Sequence, residues 1–320
     1  MAEPAVVYAE AKRSKYKPQK KGFFFCVKRH WEIYLMLLIP LIFILIFSYG
    51  PMAGLIISVQ DFSVKRGIFG SKFVGFKYFE QFFNSPLFGQ LVSNTLILSL
   101  YSLVVGFSIP IILAVFLNET RSRRFQKCVQ TITYMPYFIS TVVLVGIMFN
   151  FFHATRGMVN QLIAMCGGEM IDFTGNPDYF RTFYVFSGVW QTAGYSAVIY
   201  ISALAGVSPE LIEAGIIDGT NRLQKIWYIE LPIIMPTITI MLILAMGSIF
   251  NIGFEKVYLM QNPLNLPVSE IISTYVYKRG LQDIQYSAAT AIGLFNSVVN
   301  SVLLIASNFV VKKLGGSGLF

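Results

Sequence analysis

Six stretches of this chain contain no Asp, Glu, Lys or Arg: 33–60, 81–118, 128–155, 182–209, 231–254 and 284–311. They are 24 to 38 residues long, whereas the next longest charge-free run, 257–269, has 13. A bilayer's hydrocarbon core is about 30 Å thick and a helix rises about 1.5 Å per residue, so a spanning helix needs about 20 apolar residues. All six runs meet that length. A β-barrel is excluded, because its strands are about 10 residues long and alternate in polarity. Composition agrees: 13% of the 320 residues are charged and 55% are hydrophobic, against about 25% charged in an average soluble domain. The expected fold class is an all-α membrane protein with six transmembrane helices, at about 33–57, 92–117, 128–152, 183–206, 231–253 and 287–311. A single soluble enzyme domain and a disordered chain are both excluded.

Six spans place both termini on one side. With the N-terminus inside, the inner segments carry 16 Lys and Arg and the outer segments 9. Cytoplasmic loops are enriched in these residues, so both termini are expected in the cytoplasm of a multi-pass inner-membrane protein. Most of the bias lies in the basic head 1–30, which suits contact with anionic membrane lipid. Because topology accounts for most of the net charge of +9, nucleic acid is not an expected partner. The spanning domain is taken as 31–311, with a short cytoplasmic tail at 312–320. The first apolar run is too long for a cleavable signal peptide and no small-residue cleavage site follows it. Cys26, Cys128 and Cys166 have no disulfide or zinc spacing.

Between the first two spans the sequence is aromatic and glycine-bearing, as expected of a compact extracytoplasmic segment. Ser85-Pro86 reads as an N-cap followed by a first-turn proline. Pro40, Pro51, Pro110 and Pro136 lie within or at the edges of spans, where proline kinks a helix if neighbours satisfy the freed carbonyls.

The segment 208–232 between the fourth and fifth spans has a different character. It holds Glu210, Glu213, Asp218 and Glu230 against Arg222 and Lys225, the one inner loop without a positive bias. Ser208 is an N-cap residue and Pro209 suits the first helical position. Glu210 and Glu213 fall in the opening turns, where the helix dipole favours negative charge. Asp218-Gly219 ends that helix, with Gly219 free to take the left-handed cap. A second short helix through Ile226 and Trp227 is expected to stop near Pro232. Ala214 and Gly215 sit among Leu211, Ile212, Ile216 and Ile217, an apolar strip with too little chain of its own to cover it. Such a helix–turn–helix at a membrane face suits docking into another protein.

Glu213-Ala214-Gly215, then Asp218-Gly219-Thr220, then Leu231-Pro232 and Pro236 resemble the EAA loop of ABC importer permeases, with Gly215 and Thr220 standing where the family pattern has alanine. Tyr49-Gly50-Pro51-Met52 and Phe73-Val74-Gly75-Phe76-Lys77-Tyr78-Phe79 extend the likeness toward permeases of carbohydrate importers, and among these toward the branch serving polysaccharide fragments and complex oligosaccharides, alginate importers included. The resemblance implies the type I importer fold of the maltose-transporter kind, with a cytoplasmic coupling helix. It also implies that Glu213, Ala214, Gly215, Asp218, Gly219, Leu231 and Pro232 couple the membrane domain to a separate ATPase. The implied partners are a second homologous permease in a heterodimer, two cytoplasmic ATPase subunits and an extracytoplasmic solute-binding protein. ATP and Mg would bind those ATPases, and this chain would bind no cofactor.

The residues themselves support that division of labour. No G-x-x-x-x-G-K-[ST] phosphate loop is present, and no catalytic or metal constellation is visible, with only His30 and His153 in the chain. The apolar runs lack Asp, Glu, Lys and Arg, whereas ion-coupled carriers usually keep carboxylates in the membrane. A path for solute must then use neutral polar and aromatic groups. The candidates are Asn94, Asn150, Trp190, Gln191, Tyr195, Tyr200, Asn251, Asn296 and Asn300. Three alternatives remain: a permease of the same class for another solute, a channel or scaffold, and an intramembrane enzyme. The last would need clustered acids or histidines, and a scaffold leaves 208–232 unexplained.

Overall fold

A computed structural model describes residues 29, 31–250 and 252–313. The basic head up to residue 28, His30, Asn251 and the tail from residue 314 lie outside the described residues. The chain divides into two compact units at Gly54/Leu55.

The first unit contains α1, Trp31–Ile44, which continues through a π turn, Leu45–Tyr49, into Gly50–Met52. Its side chains are apolar all round and exposed, the character of a helix solvated by lipid. The π turn precedes Pro51, and the Gly50 N–H reaches back to the Leu45 carbonyl. A wider turn gives a proline ring room where the ordinary ladder would clash.

The second unit opens with a two-residue hairpin, β1 Gln60–Asp61 antiparallel to β2 Lys72–Phe73, with Gln60 opposite Phe73. A short helix, Lys77–Phe83, leads to α2, Phe88–Asn118. Phe82 meets Phe88 and Phe295 edge-on, with ring centroids 5.1 and 5.6 Å apart, so the outer segment is tied down by aromatic packing. Ser85 does not cap α2 directly: its Oγ accepts from the Leu87 N–H at 3.3 Å, one residue before the helix.

The third apolar run, expected as a span at 128–152 with Pro136 as a candidate kink, is sharply broken. It forms α3, Arg123–Tyr134, then a 3-10 turn, Met135–Phe138, then α4, Thr141–Phe151, with a bend of 100°. Pro136 starts the 3-10 turn, and Ile139 and Ser140 are extended. Ser140 then caps α4 by accepting from the Val143 N–H. The carbonyl of Ile139, freed at this break, receives the Gln191 amide at 2.7 Å, so the interrupted ladder is satisfied from a neighbouring helix.

α5, Pro177–Leu204, follows, capped by Asn176, and α6, Pro209–Ile217, turns from it by 76°. A second correction comes next. The helix beginning at Arg222 does not stop near Pro232. It passes through a π turn, Ile226–Glu230, into α7, Leu231–Gly247, making one continuous 26-residue helix, Arg222–Gly247. The Leu231 N–H bonds the Ile226 carbonyl five residues back, and Pro232 follows the widened turn as Pro51 follows its own. α8, Phe254–Met260, α9, Ile272–Tyr277, and α10, Tyr286–Lys313, complete the chain.

Among the described residues four helices are long and apolar enough to cross a membrane, and up to six when each bent pair is one span. α2 and α5 form the central pair. Leu98, Val185 and Val189 share one core cluster with α4 and α8, and Ala114, Tyr200 and Leu204 share another with Ile234 of α7. Gly194 lets α5 lie close to α3: a β-carbon there would fall on the backbone carbonyl of Thr133.

Candidate functional site

Local hydrogen bonds shape the loop between α5 and α7. Ser208 Oγ accepts from the Glu210 N–H at 3.3 Å and starts α6. At the other end, the Thr220 N–H (3.0 Å) and Oγ1 (2.7 Å) both donate to the Gly215 carbonyl. Gly219 stands at φ 77°, in the left-handed region that a glycine enters without strain. Asn221 and Gln224 form a reciprocal capping box that starts the next helix. Gly215 is buried, and a β-carbon there would meet Cδ1 of Ile229 at 2.7 Å. The missing side chain therefore lets α6 lie close against the Arg222–Gly247 helix.

Most of the residues expected to couple face outward. Glu213, Ala214, Asp218, Gly219 and Pro232 are exposed and Leu231 is half-buried. Around them Leu211, Ile216, Ile217, Trp227 and Tyr228 are exposed, Ile217 at 85%. A cluster of large apolar side chains rimmed by acids marks a docking surface.

This arm is anchored to α2 by a buried ionic cluster. Lys225 Nζ pairs with Glu119 Oε1, just beyond the end of α2, and with Glu230 Oε1 at 3.3 Å. Asn118 Nδ2 donates to the same Glu230 oxygen at 2.9 Å, and Glu230 is fully buried. Burial raises the Glu230 carboxyl above the usual carboxylate range, and Lys225 offsets only part of that rise. Burial opposes the charge on Lys225, yet hydrogen bonding and the field of the two carboxylates outweigh it and raise its ammonium. The sequence reading missed this cluster for a physical reason. Lys225 and Glu230 are five residues apart, outside the usual three- and four-residue pairings of a helix face, and the π turn between them is what allows the contact.

The polar interior of the helix bundle holds two adjoining cavities of about 320 and 340 Å³, which share Ser102, Gly106, Tyr184 and Gly253. The first is also lined by Thr141, Gln191, Thr192, Glu255 and Lys256, and the second by Ser99 and Ser248. Ser99 Oγ bonds the carbonyl of Ile249 and ties α2 to the chain leaving α7. Among the described residues, Gln191 is the one sequence-derived candidate on these walls.

The other path residues lie elsewhere. Trp190 is exposed on an apolar groove beside Phe151 and Phe186. Tyr195 stacks on Tyr137 with centroids 4.0 Å apart. Tyr200 is buried in the core, edge-on to Phe107. Asn94 is buried and fully engaged: it donates to the carbonyls of Pro267 and Glu270 and accepts from Arg181. Asn150 donates to the Gly146 carbonyl of its own helix. Asn300 accepts from the Phe250 N–H at 3.0 Å, and Asn296 stands half-buried one turn earlier on α10. Asn251 lies outside the described residues. Asn94, Tyr200 and Asn300 thus serve packing, as amides and aromatics in membrane bundles often do.

Lys256 escaped the sequence reading. It belongs to a charge-bearing connection and counts there as an ordinary outer base. In the structure α8 folds against α5, and Lys256 is 7% exposed, with Nζ donating to the Tyr184 carbonyl at 2.8 Å. Burial pushes its ammonium down to about 7. A lysine therefore stands against the interior of the fourth span, although none of the apolar runs contains one.

Residues 106–316 match the family described as the binding-protein-dependent transport system inner membrane component. The chain belongs to that family. It is 43% identical to Protein LplB of Bacillus subtilis over 92% of either chain. It is 40% identical to the polygalacturonan/rhamnogalacturonan transport system permease protein YteP of the same organism over 95% of either chain. A crystal structure of a bacterial alginate ABC transporter, in complex with an alginate pentasaccharide-bound periplasmic protein, contains a chain that superposes with a TM-score of 0.86 at 36% identity. That match covers 93% of this chain and all of the other. The fold is that of an ABC importer permease.

Proposed function

We propose that this chain forms half of the translocation path of an ATP-driven importer for oligosaccharides or polysaccharide fragments, and that α6 is where the separate ATPase drives it. The observation that carries the reading is the arm itself. An exposed helix is held by Gly215 and Thr220 against a helix that runs unbroken into α7, and Lys225 locks that helix to the end of α2.

The mechanical consequence follows from the hydrogen-bond ladder. A displacement of α6 passes along Arg222–Gly247, since the π turn keeps the ladder closed around Pro232. α2 and the end of α7 both wall the polar cavities. A movement shared by α2 and α7 through the Lys225 cluster therefore changes the shape of the path, which is what alternating exposure of a central site requires. The cavity walls carry hydroxyls and an amide beside aromatic rings, groups that match sugar hydroxyls and sugar faces. The relative YteP, a polygalacturonan/rhamnogalacturonan permease, and the alginate transporter support the same choice.

In this reading the chain is a non-catalytic subunit with both termini in the cytoplasm. A second, similar permease completes the membrane domain, ATP and Mg reside on two ATPase subunits, and an extracytoplasmic binding protein delivers the solute. The test is a double substitution, Glu213→Lys with Asp218→Lys, in the assembled transporter reconstituted in vesicles. Assembly persists, oligosaccharide uptake is lost, and ATP hydrolysis no longer responds to substrate. Wild-type uptake in that variant would remove α6 as the coupling element. Stimulation of the unaltered complex by an amino acid and by no oligosaccharide would remove the carbohydrate assignment.

A further inference from the structure

We propose that Lys256 and Ser102 form an anion subsite in the translocation path, which takes the carboxylate of a uronic acid residue in the transported oligosaccharide. The proposal rests on the importer reading above and adds to it a charge class of substrate and the groups that recognise it.

Three observations meet at one wall. First, Lys256 is buried and has no carboxylate within salt-bridge reach among the described residues. Its ammonium meets the Tyr184 carbonyl at 2.8 Å and the Tyr184 ring, 4.8 Å from Nζ to the centroid. An ammonium has three donors, and the carbonyl occupies one. Burying a cation without a counter-charge is costly, so an arriving carboxylate gains where a neutral sugar does not.

Second, Ser102 Oγ is shielded from solvent and has no hydrogen-bond partner among the described residues, yet Ser102 lines both cavities. A buried hydroxyl without a partner is uncommon. It stands on α2 across the same cavity from Lys256, where it can donate to a bound oxygen. Third, Gly188 makes room for the ammonium: a β-carbon at that position would stand 3.2 Å from Lys256 Nζ. The absence of a side chain at this turn of α5 keeps the cation at the cavity wall.

The charge pattern limits the ligand. Glu255 lines the same cavity and is exposed. A strongly cationic ligand would face Lys256, and a dense polyanion such as a phosphate ester would face Glu255. A single carboxylate on a hydroxyl-rich ring satisfies Lys256 and Ser102 while leaving its hydroxyls for Gln191, Thr192 and Glu255. About 320 Å³ suits one or two sugar rings at a time rather than a folded chain, so the subsite would act on successive residues of a passing oligosaccharide.

The experiment compares trigalacturonate with its fully methyl-esterified form in the reconstituted transporter, measuring uptake and substrate-stimulated ATP hydrolysis. The two probes share a backbone and differ in charge. Lys256→Met lowers the ratio of acidic to esterified uptake about tenfold or more, as loss of a charge-assisted hydrogen bond implies, and Lys256→Arg restores most of it. Gly188→Ala, which crowds the ammonium without removing it, shifts the ratio in the same direction. Ser102→Ala produces a smaller shift. An unchanged ratio in Lys256→Met, or equal loss of both probes with no recovery in Lys256→Arg, overturns the subsite. Should neither sugar stimulate the unaltered complex, the carbohydrate reading fails with it, and that outcome differs from a subsite failure by appearing before any substitution. Size-exclusion recovery of the complex separates lost assembly from lost recognition, and Gly188→Ala carries the test if Lys256→Met does not assemble.

Discussion

Replacing Lys225 by Met leaves Glu230 fully buried with its counter-charge removed. Asn118 still donates to one oxygen at 2.9 Å, but the other, Oε2, has no partner among the described residues. Glu119 loses its ammonium as well. Removing one partner of a buried ion pair costs about 3–5 kcal/mol, because the remaining charge stays desolvated. All three ionic side chains are largely buried, Lys225 at 20%, Glu119 at 13% and Glu230 at 0% side-chain exposure, so screening by water takes little off that figure. Since about 1.4 kcal/mol is a factor of ten, the equilibrium between an anchored and a released arm moves by roughly two to four orders of magnitude. The whole membrane domain need not unfold, since the cluster anchors one helix end. The expected phenotype is therefore a purified complex that hydrolyses ATP without substrate control and transports poorly. Lys225→Met combined with Glu230→Gln removes the stranded charge and should be milder than Lys225→Met alone. Measuring transport per ATP hydrolysed in the two variants decides the matter. Wild-type coupling in the single variant, or a double variant worse than the single, would refute the argument that this buried pair fixes the arm.

Gly194→Ala should destabilise the complex by about 3 kcal/mol, the upper end for overpacking, because the added carbon meets a backbone carbonyl of Thr133 rather than a movable side chain; thermal unfolding of the purified complex reads this, and an unshifted midpoint contradicts the helix crossing. Gly219→Ala places a β-carbon at φ 77°, which costs about 1–2 kcal/mol, so uptake should fall modestly, and more for Gly219→Val. Gly215→Ala should be close to neutral by comparison, since its nearest obstacle is the flexible end of Ile229; a larger effect there than at Gly219 would reverse the assignment of strain within the loop.

The charge-free runs were enough to reveal a helical membrane protein, because lipid admits no unpaired backbone and little charge, and that demand is written directly in residue type. The ends of α6 were equally legible. Ser208, Pro209, Asp218 and Gly219 act within one or two turns of their own backbone, so their chemistry does not depend on distant chain. The bend within the third span was only partly legible, as the proline Pro136. Composition cannot distinguish a continuous apolar helix from two joined at an extended pair, and the break at Ile139-Ser140 is stabilised by Gln191 from another helix. The stop expected at Pro232 failed in the opposite direction, since a π turn absorbed the proline.

Fold class, the limits of α6 and the absence of a phosphate loop were thus determined by the sequence alone, because each follows from local composition or short spacing. Only the tertiary structure decided which polar residues line the interior cavities. Asn94 and Asn300 look as suitable as Gln191 in the sequence, yet the fold spends their hydrogen bonds on carbonyls and amides far away along the chain. Lys256 looks like one more outer base, yet α8 carries it to the wall of a cavity beside α5. The Lys225, Glu119 and Glu230 cluster likewise joins the end of α2 to the Arg222–Gly247 helix, which is remote in sequence. Burial and pairing are properties of long-range packing, and no window of neighbouring residues contains them.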